Sequence, residues 1–479
     1  MSEPTSGPGS NLSASNAASP PPGSHTFVLL VSAVAAIGGF LFGFDSGVIN
    51  GAVDAISTAF GTTTVATGFA VASVLLGCAV GAFLAGNISD FLGRRPAMLI
   101  TAVIFLVSAY ASGAAKTADI FIAARVLGGL GIGAASVLAP MYISEVSPAA
   151  LRGRLASLQQ LAIVLGLFSA FLSNYILAWL AGTASAPLWL GEPAWRWMFW
   201  MEALPSAAFF VGALLIPESP RFLVAHGKSA FARAIFARIG SDPDTLVREV
   251  EQSLLGEHRP RMSDLVESRT GRIAPILWVG MGLAVFQQFV GINNIFYYGA
   301  VLWEAAGISS QDALINNLIT GFVNILATIL AIALIDRVGR RFLLLVGSVG
   351  MAVTLGALAL IFATAKLGAD GKPVLSDDMG LLGLGAAILY VIAFGVSWGP
   401  VMWVLLGEMF PNRLRGAALA VSGATNWVAN FLVTVTFLPF IKYIGLAGAY
   451  GLYTLAAIIS LFFVWAFVRE TKGKTLEQM

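Results

Sequence analysis

The sequence predicts an all-α membrane protein of twelve transmembrane helices, arranged as two similar six-helix halves of the same orientation. Three observations carry that prediction. First, of 479 residues 57% are hydrophobic and only 11% charged, against about 25% charged in a soluble domain. A mean hydropathy of +0.84 makes lipid the main solvent. Second, the apolar residues fall into runs of spanning length. Third, two motifs each occur twice, separated by about half the chain.

Residues 1–25 are rich in Ser, Pro, Gly, Asn and Ala and contain no Lys or Arg, so they lack the basic start of a signal peptide and read as a disordered cytoplasmic tail. A span needs roughly 20 apolar residues. Twelve fit, at 27–51, 66–89, 97–115, 119–143, 155–180, 196–216, 273–302, 313–335, 342–365, 380–406, 414–440 and 445–468. The N-terminal half is thus 26–216 and the C-terminal half 272–468, with 469–479 a short tail. The polar interval 217–271 separates them. Within it Phe231, Ile235, Phe236 and Ile239 recur at helical spacing, with Arg233 and Arg238 between them, which predicts short amphipathic helices. Of the 27 Lys and Arg, only Lys116, Lys366, Lys372 and Lys442 fall in loops on one face; Arg125 and Arg196 lie in or beside spans, and the other 21 are on the opposite face. By the positive-inside rule that face is cytoplasmic, with both termini and 217–271 on it. The expected location is the plasma or inner membrane.

The repeats follow the spans. Asp90-Phe-Leu-Gly-Arg94-Arg95 after span 2 matches Asp336-Arg-Val-Gly-Arg340-Arg341 after span 8, 246 residues on. Glu145, Pro148, Leu151, Arg152 and Gly153 after span 4 match Glu408, Pro411, Leu414, Arg415 and Gly416 after span 10, 263 residues on. Parallel repeats of this kind characterise carriers that rock about a central site. Asp90, Arg94, Glu145, Arg152, Asp336, Arg340, Glu408 and Arg415 are therefore expected to form a cytoplasmic gate whose charge pairs hold that side shut and break when it opens. The bland reading, basic loops obeying the positive-inside rule, does not predict the repeated acids and glycines.

Polar residues inside the spans locate the chemistry. Asp45, Arg125 and Glu202 lie on spans 1, 4 and 6 at similar depth near the outer side. Charges there are expensive, pair with one another, and mark ion or proton routes. A second set is uncharged: Gln160, Gln287, Gln288, Asn293, Asn294, Asn324 and Asn426, mostly near mid-span. Amides both donate and accept, which suits a neutral polyhydroxylated solute, and Trp398 and Trp427 offer apolar faces to a sugar ring. Gln287 and Gln288, adjacent on a helix, are expected to point about 100° apart. Gly77 with Gly81, and Gly129 with Gly133, have the spacing of close helix packing. One cysteine, Cys78, excludes a disulfide framework, a net charge of +2 gives no basis for a nucleic-acid partner, and no cluster of metal-ligand type appears.

Together these residues make the chain resemble the sugar-porter family of the major facilitator superfamily, which includes bacterial sugar–proton symporters and facilitative glucose carriers. The resemblance covers about 27–476. Its strings are Gly39-Phe-Leu-Phe42-Gly-Phe-Asp45, the two Gly-Arg-Arg loops, Pro217-Glu-Ser-Pro-Arg221, Gln287-Gln-Phe-Val-Gly-Ile-Asn293, Ser397-Trp-Gly-Pro400 and Glu470-Thr-Lys-Gly473. It implies that Gln160, Gln287, Gln288, Asn293, Asn324, Trp398 and Asn426 contact sugar, with Phe42 an aromatic wall. It also implies that Asp45 is the proton-coupling carboxylate and Arg125 its partner, with Glu202 beside them. Two departures stand out: Leu167 replaces a second Gln of xylose-type members, and Arg469 replaces the usual Pro before Glu470, which predicts a less sharply fixed helix end.

The leading expectation is a monosaccharide–proton symporter working by alternating access as a monomer in lipid, with sugar and protons as its partners and no cofactor. The alternatives are a facilitative uniporter, which accumulation against a gradient would exclude, and a sugar sensor, disfavoured by the roughly ten residues after the last span. A membrane enzyme lacks support: His25, His226 and His258 all lie outside the spans.

Overall fold

A computed structural model describes residues 24–148, 152–239, 242–256, 265–266, 272–305, 307–367 and 373–472. The tail at 1–23 and the last residues lie outside it.

The described chain is nearly all helix, as its composition dictates: in lipid each backbone N–H and C=O must be satisfied within its own segment. The first half holds spans 1 to 6: Ser24–Val48, Thr64–Leu92, Arg94–Ala114, Ala118–Val146, Arg152–Ala181, and a sixth in two pieces, Ala194–Trp200 and Ala203–Leu215. The second half repeats the pattern. Span 7 is Pro275–Phe289 and Ile292–Ala305, span 8 Ser310–Val338, span 9 Arg340–Thr364, and span 10 Asp377–Val396 and Trp398–Met409. Spans 11 and 12 share the helix Asn412–Phe467, divided at Gly445, whose φ of 70° turns the chain. Three spans enter through side-chain caps: Thr63, Thr117 and Ser309 each accept from the N–H three residues on.

Sequence periodicity reads spans 7 and 10 as continuous, but the structure breaks both, at Gly291 and Ser397. The breaks free backbone groups beside the central amides. Also unforeseen are a helix Val53–Phe60 after span 1 and a two-strand hairpin pairing Lys366–Leu367 with Pro373–Val374.

Packing within the first half rests on backbone contact. A Cβ on Gly77 would overlap the carbonyl of Val126, and one on Gly129 that of Val74, so spans 2 and 4 touch where Leu or Val would hold them apart. Spans 1 and 5 approach in the same way at Gly43 and Gly166.

The interval between the halves carries helices Pro220–Ala225, Ser229–Ile239 and Pro243–Gly256. Ala232, Ile235, Phe236 and Ile239 are buried, whereas Phe231 is 68% exposed, so the apolar face is turned one position from the one the spacing predicts. Arg238 stacks its guanidinium 3.9 Å from the ring centre of Phe27, and Arg233 pairs with Asp244 at 2.7 Å. We call this side the linker face and the opposite one the far face.

The halves meet mainly toward the far face. A Cβ on Gly68 would stand 3.1 Å from the carbonyl of Val435, and Phe69 meets Phe431 with ring centres 6.2 Å apart. Phe168 meets Phe322 at the same distance, and Gly321 packs on Phe171.

Candidate functional site

Asp45, Arg125 and Glu202 come together in the first half, each about 1% exposed. Arg125 Nη1 donates to Asp45 Oδ1 at 2.5 Å and Nη2 reaches the Asp45 carbonyl at 3.4 Å. The guanidinium also lies 5.6 Å from the ring centre of Phe199. The approach needs Gly128: a Cβ there would overlap Ser108 Oγ and sit 3.7 Å from Asp45 Oδ1. Glu202 lies against both partners, its carboxyl in contact with that of Asp45, and Arg125 Nε has no hydrogen-bond partner among the described residues. The cluster therefore holds two carboxyls and one cation buried together within the first half.

The amides gather on the second half. Gln287 Nε2 donates to the carbonyls of Trp398 and Gly399 at 3.1 and 3.2 Å, in the first turn of the helix that follows the break in span 10. Gln288 Nε2 donates to Asn426 Oδ1 at 3.1 Å and to Gln287 Oε1 at 3.3 Å. Asn426 Nδ2 donates to Gln287 Oε1 at 2.7 Å and to the Ala284 carbonyl at 3.1 Å, and Asn293 Nδ2 donates to Gln288 Oε1 at 2.7 Å. Gln287 and Gln288 thus converge despite being adjacent, which corrects the helical-wheel expectation. Their side chains are long enough to swing onto Asn426 between them, and the helix ends at Phe289.

The other predicted contacts are spread around this network. Asn324, 6% exposed, stands with its Oδ1 3.2 Å from where a Cβ on Gly395 would lie. Phe42 faces across to the second half, its ring centre 5.8 Å from that of Trp427. Gln160 is half-buried on span 5, and its neighbour Gln159 packs on Gly39 with a buried Oε1 that has no hydrogen-bond partner among the described residues. Trp398 is fully buried and its indole N–H is engaged by Ser348 Oγ at 2.9 Å and the Leu344 carbonyl at 3.2 Å. It holds span 10 to span 9, so its polar end is unavailable to a solute.

The linker-face charges form two similar clusters, one in each half. Arg94 chelates Glu145 through Nε and Nη2 at 3.1 and 3.0 Å and meets Asp90 at 2.9 Å. Arg340 meets Glu408 and Asp336, both at 2.8 Å. The expected gate pairs therefore lie within halves. Among the described residues they brace span ends of one half. Arg415 bonds the Phe410 carbonyl at 3.2 Å rather than an acid, and the side chain of Arg152 lies outside the described residues.

With this geometry in view, the comparisons with known proteins decide the family. The profile of "Sugar (and other) transporter" proteins matches residues 31–479. The chain belongs to this sugar transporter family. A "Glucose transport protein" of Synechocystis is 52% identical over 455 residues, covering 95% of this chain and 97% of that protein. The D-xylose-proton symporter of Escherichia coli K12 is 36% identical, covering 95% of each. A partially occluded inward-open structure of the Escherichia coli xylose transporter superposes with a TM-score of 0.81 at 34% identity, covering 94% of this chain and all of that one. The chain is thus a multi-pass membrane transporter and not an enzyme.

Sequence reasoning passed over two acids that organise this transporter's linker face. Glu218 accepts from the N–H groups of Arg94 (2.8 Å), Arg95 (3.2 Å) and Ser219 (2.7 Å); Glu470 accepts from those of Arg340, Arg341, Thr471 and Lys472, each at 3.0 Å. Each carboxylate caps the N-terminus of the span that follows a Gly-Arg-Arg turn, where unpaired N–H groups favour an anion. Gly93 and Gly339, at φ 105° and 104°, admit the carboxylate where a Cβ would collide with it. Partial burial pushes the Glu470 carboxyl up, but its four N–H donors outweigh this and hold it below its ordinary value. The C-terminal helix end is accordingly pinned by Glu470 itself, contrary to the expectation drawn from the missing Pro. The signal was present in the sequence: Glu218 and Glu470 each follow the last span of a half.

Proposed function

We propose that this transporter carries a monosaccharide across the membrane by alternating access, coupled to a proton, with its linker face cytoplasmic. The observation that carries the coupling is the cluster of Asp45, Arg125 and Glu202. Two buried carboxyls and one guanidinium are one charge out of balance unless one carboxyl holds a proton. Glu202, which meets the Asp45 carboxyl and carries no ion pair with the guanidinium among the described residues, is the cheaper of the two to keep neutral while Asp45 holds Arg125. Protonation of Asp45 frees Arg125, Glu202 is within reach to receive it, and the tie between spans 1 and 4 loosens. Sugar binds between the halves, on the network of Gln287, Gln288, Asn293 and Asn426, with Asn324 and Gln160 flanking it and Phe42 and Trp427 as apolar walls. The amides supply both donors and acceptors to hydroxyls and carry no charge to desolvate.

The relatives support this reading from two sides. The Synechocystis glucose transport protein favours a hexose, and the Escherichia coli D-xylose-proton symporter favours proton coupling. Glucose is the first substrate to test, since Leu167 adds no polar group on span 5. The test is uptake of labelled glucose and xylose into proteoliposomes, with and without an imposed pH gradient. Accumulation above equilibrium that a protonophore collapses is expected. Equilibration alone would replace the symporter by a uniporter with the same sugar site.

A further inference from the structure

Span 7 carries amides of the candidate sugar site on both sides of its break. Gln287 and Gln288 lie at the end of its first piece and Asn293 at the start of its second. The bond from Asn293 Nδ2 to Gln288 Oε1 therefore crosses the break, and its 2.7 Å length depends on how the two pieces are set. Asn294, the next residue and 1% exposed, turns to another neighbour: its Nδ2 donates to Tyr453 Oη on span 12 at 2.6 Å.

The backbone shows what holds that setting. In a regular helix the Asn294 N–H would go to the Val290 carbonyl. Here it goes to the Gly291 carbonyl at 3.1 Å, while the Gly291 N–H goes to the Gln288 carbonyl at 2.9 Å. The Val290 carbonyl has thus lost its helical donor, and Val290 is fully buried. An unpaired carbonyl there costs about as much as a lost hydrogen bond. Tyr390 on span 10, itself fully buried, supplies the missing donor: its hydroxyl reaches the Val290 carbonyl at 2.7 Å. Tyr453 closes the break from span 12. Its ring lies so near Gly291, at φ 82°, that a Cβ there would stand 2.7 Å from Tyr453 Cδ2.

We infer that Tyr390, Tyr453 and Asn294 clamp the break in span 7 and so act as positioning residues for the sugar-binding amides on its two sides. The inference rests on the monosaccharide reading and adds to it the groups that set the site. Among the described residues none of the three bonds to the amide network, so they act through Gln288 and Asn293. Without the Tyr390 hydroxyl, the donor nearest along the chain to serve Val290 is the Asn294 N–H. Its return restores the helix, straightens span 7 and draws Asn293 away from Gln288.

The test is equilibrium binding of labelled glucose and xylose to the purified full-length protein, beside thermal melting. Tyr390→Phe removes one hydroxyl and keeps the ring. It is expected to weaken sugar binding about fivefold or more, as one bond across the break is lost or misplaced. Asn293→Ala in that background then adds less than it does alone, because the bond it removes is already broken, whereas Gln160→Ala on the first half adds in full. Tyr142→Phe is the comparison, since it removes a bond of the same kind on the linker side, from a hydroxyl to the Pro217 carbonyl at 2.8 Å. It lowers the melting temperature and leaves affinity within twofold. Should Tyr390→Phe fail to fold, Tyr453→Phe, which takes the acceptor from Asn294 Nδ2, must weaken binding in the same way. The clamp is overturned if the folded variant binds within twofold of the parent, if its loss adds in full to that of Asn293→Ala, or if Tyr142→Phe matches it. A parent that binds neither sugar counts against the sugar reading instead. The clamp is then read from spin labels at Trp278→Cys and Val301→Cys in protein with Cys78→Ala: a longer distance along span 7 in Tyr390→Phe supports it, and an unchanged distance overturns it.

Discussion

Gln288→Ala separates a substrate site from mere adhesion between helices. Gln288 is 7% exposed, donates to Gln287 Oε1 and Asn426 Oδ1, and accepts from Asn293 Nδ2. Truncation leaves Gln287 Oε1 with its bond from Asn426, but removes the donor to Asn426 Oδ1 and the acceptor for Asn293. An acceptor stranded in the interior costs about 1–3 kcal/mol, reduced by any water entering the vacated space. Asn293 is only half-buried, so its loss is smaller. Folding stability should therefore fall by about 1–2 kcal/mol. If hydroxyls of the solute exchange with this network, the variant also loses one or two bonds to sugar at ~0.5–1.5 kcal/mol each, which weakens binding by about 2- to 140-fold. Equilibrium binding of labelled sugar to purified protein, beside thermal melting of the same sample, reads both. An affinity unchanged within twofold together with a lowered melting temperature would show that the amides only join spans 7 and 11.

Other outcomes follow from the linker face. The depressed Glu470 carboxyl contributes stability that is complete above its unfolded value of about 4.3 and is lost as pH falls through its lower folded value; melting between pH 3 and 7 should lose part of this acid dependence in Glu470→Gln, and an unchanged profile would contradict the cap. Arg94→Gln breaks a pair whose side chains are 10% and 7% exposed, so a loss of ~3 kcal/mol in stability is expected. A double-mutant cycle with Glu145→Gln that shows no coupling would reduce the pair to a topological signal. A cysteine placed in the helix Ser229–Ile239, with Cys78 removed, should resist an impermeant reagent outside intact cells, and its labelling would invert the proposed orientation.

Much of this was legible in the sequence because lipid leaves few choices. Span limits came within a few residues, since any run of about 20 apolar residues must form a helix. Asp45, Arg125 and Glu202 were legible for the same reason: charges at one depth have only each other to meet. The breaks at Gly291 and Ser397 were not legible, because broken and continuous spans have equal hydropathy. The charges of the Gly-Arg-Arg loops carry a pairing signal in the sequence, but no spacing says whether a pair lies within a half or between halves.

The central claim is that a proton taken up at Asp45 drives sugar transport. It is tested most directly by comparing counterflow with accumulation in proteoliposomes containing Asp45→Asn. The substitution keeps the size of the side chain, removes its charge and cannot titrate. The account predicts that sugar exchange down its own gradient persists while accumulation on an imposed pH gradient disappears, with the unmodified protein performing both. Accumulation retained by Asp45→Asn would contradict the account and move the coupling to another group, with Glu202 the next carboxyl to substitute.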